Sequence, residues 1–344
     1  MTRKRFNIRS GSVRMFALSL LLVAVAGLSS CFKEKPIPMP KIYDGPDVFT
    51  AHIGPGYIKQ LYFNAQTFQF VDSNSHFLYD MAFDCAPGSY NVYINGSKLM
   101  FACHTGKYNL QDVTSLNDTL SNGWKEEFGS GLPTQRAIGD WGANGVSAGE
   151  VYLLNLGTDS DGNNIGFKKM QMGDCVGNSY TVTFSNLDGS DQHKVSVPRR
   201  SGRNKVYLLF ADQQVRDLEP DNTNWDMLFT RYSIYFTDQN LPYLVTGVLT
   251  NPNKSAAYFM DSTSNFDSLT LNNVDASRFT PALDNIGYEW KLYGLGTSGR
   301  YTIKPSYIYV LRSDSRYYKM RFIGTFYDDQ GNEGYPQFQI DELK

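Results

Sequence analysis

From residue 49 onward the chain alternates short apolar runs with clusters of Gly, Asn, Asp and Pro, and no stretch sustains a helical period. Short runs rich in Tyr, Phe, Val and Ile between such clusters predict β-strands. Residues 57–63 and 68–71 read as a hairpin, and strands follow at 79–85, 90–94 and 99–103. Pro87-Gly88 and Asn95-Gly96 supply turns between them. Asn-Gly is a hairpin signal because both turn positions take positive φ. A Gly-rich polar stretch, 111–137, interrupts the pattern, with Trp124 and Phe128 its only aromatics. Strands resume at 151–155, 165–172 and 180–184, the first two joined across Asp159-Ser160-Asp161-Gly162. The second half reads as strands at 205–210, 225–232, 243–250, 256–260, 286–290, 307–312, 317–322 and 335–340. The predicted class is all-β.

Landmarks recur in one order. Tyr79-Asp80-Met81-Ala82-Phe83 matches Trp225-Asp226-Met227-Leu228-Phe229 at a spacing of 146 residues. Ile138-Gly139-Asp140-Trp141 matches Ile286-Gly287-Tyr288-Glu289-Trp290, with the tryptophans 149 apart. Lys169-Met170 matches Lys319-Met320, and 180–184 matches 335–340. These matches predict two tandem β-sandwich-like units, 49–198 and 199–344; a single large sandwich whose strands share composition is the competing reading. Along a strand, Trp225, Met227, Phe229 and Arg231 face one way and Asp226, Leu228, Thr230 and Tyr232 the other. Both sets are large, which suits an inner strand. Asp226, at the same place as Asp80, is expected to hold a turn through backbone hydrogen bonds rather than to act on a ligand.

Ahead of this body, residues 1–14 carry Arg3, Lys4, Arg5, Arg9 and Arg14 and no acid, and 15–26 is mostly apolar. That run is shorter than the roughly 20 residues of a transmembrane helix and suits a secretory signal. It ends Leu28-Ser29-Ser30-Cys31, which resembles the lipobox of bacterial lipoproteins. The resemblance implies that 1–30 is removed as a signal peptide and that Cys31 becomes an acylated N-terminus bound to the lipid bilayer. At roughly 0.8 kcal/mol per buried methylene, two or three chains anchor a protein stably. Residues 31–48 contain Pro36, Pro38 and Pro40 and predict an extended tether. Phe32 replaces the Asp of the common inner-membrane retention signal. The expected address is therefore the outer membrane, on either the cell surface or the periplasmic face.

Composition adds limits. Apolar residues reach 41% and aromatics 14%, ample for sheet cores. The 32 basic side chains less the five of the leader leave 27 against 34 acids, net −7. An acidic body without a basic stripe argues against nucleic acid. The one basic run, Arg199-Arg200 with Arg203 and Lys205, reads as a solvated linker after Pro198. In an oxidising envelope a Cys85–Cys103 disulfide is the first choice, with Cys175 then unpaired and other pairings open. The four histidines, His52, His76, His104 and His193, form no metal pattern beyond the adjacent Cys103-His104. Gly294-Leu295-Gly296-Thr297-Ser298-Gly299 matches a dinucleotide fingerprint in spelling, but a strand-like Tyr301-Thr302-Ile303 follows where that site needs a helix. The Asp159 and Asp328 loops read as hairpin turns. No His follows His193 to serve a nucleophile in the second half, and the reading is of a binding protein, not an enzyme.

In the second half, Trp225-Asp226-Met227-Leu228-Phe229-Thr230-Arg231-Tyr232, Ile286-Gly287-Tyr288-Glu289-Trp290-Lys291, Tyr318-Lys319-Met320-Arg321-Phe322 and Gly334-Tyr335-Pro336-Gln337-Phe338 resemble the HmuY family of haem-binding outer-membrane lipoproteins. The resemblance is best over 204–344 and looser over 50–190. It implies an all-β sandwich holding haem between loops at one end, for transfer to an outer-membrane haem transporter. In the family two residues clamp the iron, one in a loop before the Trp290-like position and one just after it. Here neither 273–285 nor 293–300 contains His or Met, and no His follows His193. Haem iron takes a nitrogen, sulfur or phenolate donor, so Tyr293 is the candidate ligand within reach; packing beside Trp290 is its other reading. The expected function is binding of haem or a similar tetrapyrrole for uptake. The alternative is a surface interaction protein for glycans or proteins that has lost the haem ligands.

Overall fold

The computed structural model describes residues 47–344 except 122, 237–240 and 295–298. The signal segment, Cys31 and all but the last two residues of the tether lie outside the described residues. In the first stretch the strands are β1 (Val48–Thr50), β2 (Lys59–Asn64), β3 (Gln69–Ser75), β4 (Met81–Asp84), β5 (Val92–Ile94) and β6 (Phe101–His104). They continue as β7 (Trp124–Glu126), β8 (Gly142–Ala143), β9 (Val146–Ser147), β10 (Val151–Asn155), β11 (Phe167–Val176) and β12 (Ser179–Ser185). The first stretch ends with β13 (His193–Pro198), and the second stretch holds β14 (Lys205–Leu209), β15 (Gln214–Arg216), β16 (Met227–Phe236), β17 (Leu241–Thr250) and β18 (Ser255–Asp261). It closes with β19 (Lys291–Tyr293), β20 (Tyr301–Ile303), β21 (Ile308–Ser313), β22 (Arg316–Ile323) and β23 (Gln337–Glu342).

These strands make two sandwiches. In one, a six-stranded sheet ordered β13-β12-β11-β10-β6-β7 packs on a four-stranded sheet ordered β15-β14-β4-β5. Met81, Phe83, Val206 and Leu208 from the smaller sheet meet Leu154, Met170, Tyr180 and Phe184 from the larger. In the other, a five-stranded sheet β1-β23-β22-β21-β18 packs on β17-β16-β2-β3, with Phe63, Met227 and Phe229 against Leu311, Met320, Phe322 and Phe338. The all-β, two-sandwich class expected from the alternation is the class observed.

The connection between the halves is less local. The hairpin β2–β3 pairs with β16 of the later stretch, Met227 opposite Phe63 and Phe229 opposite Leu61. Reciprocally, β14–β15 pairs with β4 of the earlier stretch, Val206 opposite Phe83 and Leu208 opposite Met81. At the edges, β1 lies beside β23 of the later stretch, while β13 stays beside β12 of its own. The later sandwich therefore takes three strands, β1, β2 and β3, from the earlier half, and the earlier sandwich takes two, β14 and β15, from the later. The paired aspartates hold this exchange. The buried Asp226 carboxylate accepts from the Ala65 amide at 2.8 Å and from Lys254 Nζ at 3.0 Å. Asp80 accepts from the Phe210 amide at 2.8 Å and from buried Lys98. Each closes the turn of the hairpin that arrives from the other half, so the backbone role expected of Asp226 is the role it has.

Other paired landmarks share one function as well. Lys169 Nζ reaches the Val113 and Leu187 carbonyls, and Lys319 Nζ the Phe266 and Leu269 carbonyls. Each buried ammonium thereby pins a long loop across the back of its sheet. The Cys85–Cys103 disulfide, by contrast, is not formed, and both thiols are free. Ala102 and Cys103 are neighbours on β6 and point to opposite faces. Ala102 joins Cys85 in the core between the sheets, whereas Cys103 packs outside with Leu110, Val113 and Leu153. The glycine-rich 294–299 stretch, of which 295–298 lie outside the described residues, is followed by strand β20, paired with β19, where a phosphate site needs a helix. Asp159 and Asp328 close their own turns, accepting from Asn163 and Asn332 amides at 2.8 and 2.7 Å.

Candidate functional site

Trp290 sets the geometry of one end of the later sandwich. Its ring is buried and stacks on Phe322 at 3.8 Å with the planes 11° apart. Its Nε1 donates to the Gly287 carbonyl at 2.9 Å. Gly287, at φ +61°, exchanges both backbone hydrogen bonds with Val248. A Cβ at Gly247 would stand 2.4 Å from the Gly287 oxygen, so glycine is needed for this close approach. With the strand end fixed, the β19–β20 hairpin springs from it, tied back by the Lys304 amide on the Trp290 carbonyl at 2.8 Å.

The next residue, Lys291, points inward. Its Nζ donates to the Thr246 carbonyl and lies 4.2 Å from the Trp290 ring centroid, 5.2 Å from Phe326 and 5.5 Å from Tyr301. Burial pushes its pKa down to about 7, opposed by the charge of Glu333. The ring faces hold the ammonium where water is scarce. Leu292 and Tyr293 then turn outward, 60% and 44% exposed.

Tyr293 packs on Tyr301 at 5.0 Å. Tyr243, 47% exposed on β17, lies close enough to Tyr301 for its charge to raise that phenol's pKa. Phe236 joins Tyr243 at 5.0 Å and Tyr288 at 6.4 Å. Beneath them Tyr327 Oη accepts from the Tyr301 amide at 2.6 Å, and Tyr57 donates to Glu333. Tyr57 arrives from the first stretch with the exchanged strands. Beside this face the loop before Trp290 lines a cleft of about 250 Å³ with Phe259, Tyr288 and Tyr309.

Chemically this end offers ring faces and few donors. Burial and neighbouring acid push the Tyr57 phenol far up, and burial first raises Tyr301 to about 12. Neither supplies a phenolate at neutral pH. The histidines are engaged elsewhere: His76 is buried against Arg231, His104 pairs with Glu150 at 2.8 Å, and His193 with Asp191 at 2.6 Å. His52, carried into the later sandwich by the exchange, meets Tyr335 edge-on at 5.5 Å. Among the described residues no three His, Cys, Asp or Glu side chains converge as a metal site. Residues 295–298 lie outside the described residues, and their sequence is Leu-Gly-Thr-Ser. These residues fit the flat face of a tetrapyrrole and do not fit a two-ligand clamp on its iron.

The sequence model of a family described as HmuY protein matches residues 56–340, most of the chain. This chain belongs to the HmuY family. The HmuY match runs through both halves, including the first, where sequence resemblance is looser. Comparisons with curated proteins and with solved structures returned no match. Membership in HmuY carries the coarse expectation of a haem-binding type of envelope protein, in a family of binding and uptake rather than catalysis. No helix among the described residues is long and apolar enough to cross a membrane.

Of the residues singled out from sequence, Tyr293 is at this end, exposed and beside the Trp290 scaffold. The Lys291 box and Tyr243 escaped sequence reasoning. An apolar strand followed by a lone Lys gives no sign that three rings from separate segments will enclose it.

Proposed function

We propose that the protein is an envelope lipoprotein, anchored through acylated Cys31 in the outer membrane, that binds haem or a similar flat tetrapyrrole for uptake without chemical change. Binding rests on ring stacking at the Tyr243–Tyr293 face, to which Tyr293, the candidate ligand named from sequence, contributes its exposed ring. The observation that carries the reading is this exposed aromatic face, held rigid by Trp290 and the Lys291 box at the end of a HmuY-family sandwich. Aromatic faces suit flat apolar ligands, since stacked rings add to the area buried. The bound ligand passes to an outer-membrane haem transporter.

Titrating the purified mature protein with haem tests this through the Soret band. Saturable perturbation, weakened by Tyr293→Ala, is expected; a flat titration in both oxidation states refutes haem capture. The missing imidazole and thioether donors favour one second reading, a surface protein that contacts glycans or proteins through the same rings. For the anchor, palmitate labelling of cells is expected to vanish in Cys31→Ala. Labelling that persists in that variant contradicts it.

A further inference from the structure

The arginine run between the halves is not a solvated linker in its folded setting. Residues 199–204 join β13 to β14, the segment by which the later half enters the earlier sandwich. Arg199, Arg200 and Arg203 line one cleft of about 410 Å³, together with Asn178, Asn222 and the Cys85 thiol. A space of that size falls within the roughly 300–1,000 Å³ of small-molecule sites.

The charges in it are held in place. Arg199 lies 4.7 Å from the Tyr90 ring centroid and 4.9 Å from that of Tyr180, and donates to the Ala86 and Ser89 carbonyls at 3.2 and 2.6 Å. Its Nε is shielded from solvent with no partner among the described residues. Arg203 donates to the Glu219 carbonyl at 2.5 Å. Arg200 is looser, 3.6 Å from the exposed Asp217 carboxylate, while its amide donates to Cys85 Sγ at 3.4 Å. Burial raises the pKa of that thiol, so the cysteine contributes no anion.

Of the nearby acids, Glu219 is pushed up to about 7 by burial and Asp221 is held by Thr223. The lining itself thus holds three guanidinium groups and no carboxyl side chain, with Asp84, Asp217, Glu219 and Asp221 around it, in a mature chain that is acidic overall. Self-repulsion and desolvation work against gathering three arginines in one cleft, and an anionic guest offsets both. Guanidinium forks match the two oxygens of a carboxylate or phosphate, and asparagine amides add neutral donors.

We propose that this cleft is a binding site for a small oxyanion ligand, a carboxylate- or phosphate-bearing solute, separate from the aromatic end of the later sandwich. Calorimetric titration of the purified mature chain with citrate and, in a second arm, inorganic phosphate tests it, at ionic strength fixed with sodium chloride. Saturable binding of at least one is expected, and the stronger arm distinguishes the two chemistries. It should weaken about tenfold or more in Arg200→Gln/Arg203→Gln, as lost charge-assisted hydrogen bonds imply. Arg200→Gln alone changes an exposed side chain and should weaken it severalfold with the melting temperature unchanged, which separates binding from folding. Arg316→Gln, on a surface pair with Glu342 and not among the cleft's lining residues, should bind as the parent does. No saturable heat with either anion, or equal binding by the parent and the Arg200→Gln variant, overturns the proposal.

Discussion

Glu127 illustrates how single residues record the way the halves meet. It is buried where both four-stranded sheets line a crevice of about 120 Å³ with Tyr79, Tyr207, Leu228 and Thr230. One carboxyl oxygen takes the Ile94 and Ala137 amides at 3.4 and 3.3 Å, and the other has no partner among the described residues. Burial pushes its pKa up to about 8. The native state then binds more protons than the unfolded chain between roughly pH 4.5 and 8. The stability owed to the neutral carboxyl is complete below that window and lost as pH rises through it. Glu127→Gln is expected to flatten this decline and to be the more stable form at pH 8, by an amount on the order of a few kcal/mol. Urea melts of both proteins at pH 5 and pH 8 measure it; an equal fall in both places the decline elsewhere. Lys291 acts in the opposite sense. With its pKa lowered to about 7, stability rises with pH from there toward 10.5. Lys291→Met should remove that rise in the same melts.

At the scale of elements, the strands were legible because alternation and turn chemistry are local. Trp225–Tyr232 reads as an inner strand, and β16 does lie between β17 and β2. What local pattern cannot state is which half supplies a neighbour. Lys59 and Lys205, at the starts of β2 and β14, are 146 residues apart like Asp80 and Asp226. The duplication is therefore visible while the exchange is not, since either hairpin satisfies either aspartate. The aromatic end was half legible for the same reason. Trp290 and Tyr293 lie three residues apart in the sequence, but Tyr243, Tyr57 and Phe326 reach it only through pairing of distant strands. The aspartates give the exchange a direct test. Asp226→Ala leaves the Ala65 amide and Lys254 buried without their acceptor, a loss of about 3–5 kcal/mol for a broken buried pair. Hydrogen exchange should quicken most around residues 64–68, in the opposite half of the chain. Unchanged protection there removes Asp226 as the latch.

For the whole molecule, exchange makes each core dependent on both stretches. The earlier core needs Val206, Leu208 and Phe210, and the later one Ala51, Leu61 and Phe63. Residues 49–198 and 199–344 expressed separately are expected to be unfolded, and to recover strand structure by circular dichroism only when mixed or co-expressed. A native-like spectrum and cooperative melt from either piece alone contradict this dependence.

The same assembly brings the aromatic face together, and ring stacking without an iron clamp is the central claim about it. The most direct measurement compares haem with iron-free protoporphyrin in fluorescence-quenching titrations of the mature protein and its Tyr243→Ala/Tyr293→Ala variant. Stacking predicts that both porphyrins bind within about tenfold of each other, a difference of about 1.4 kcal/mol, and that the variant weakens both. Haem bound far more tightly than protoporphyrin, or binding by the variant equal to that of the parent, would contradict the account.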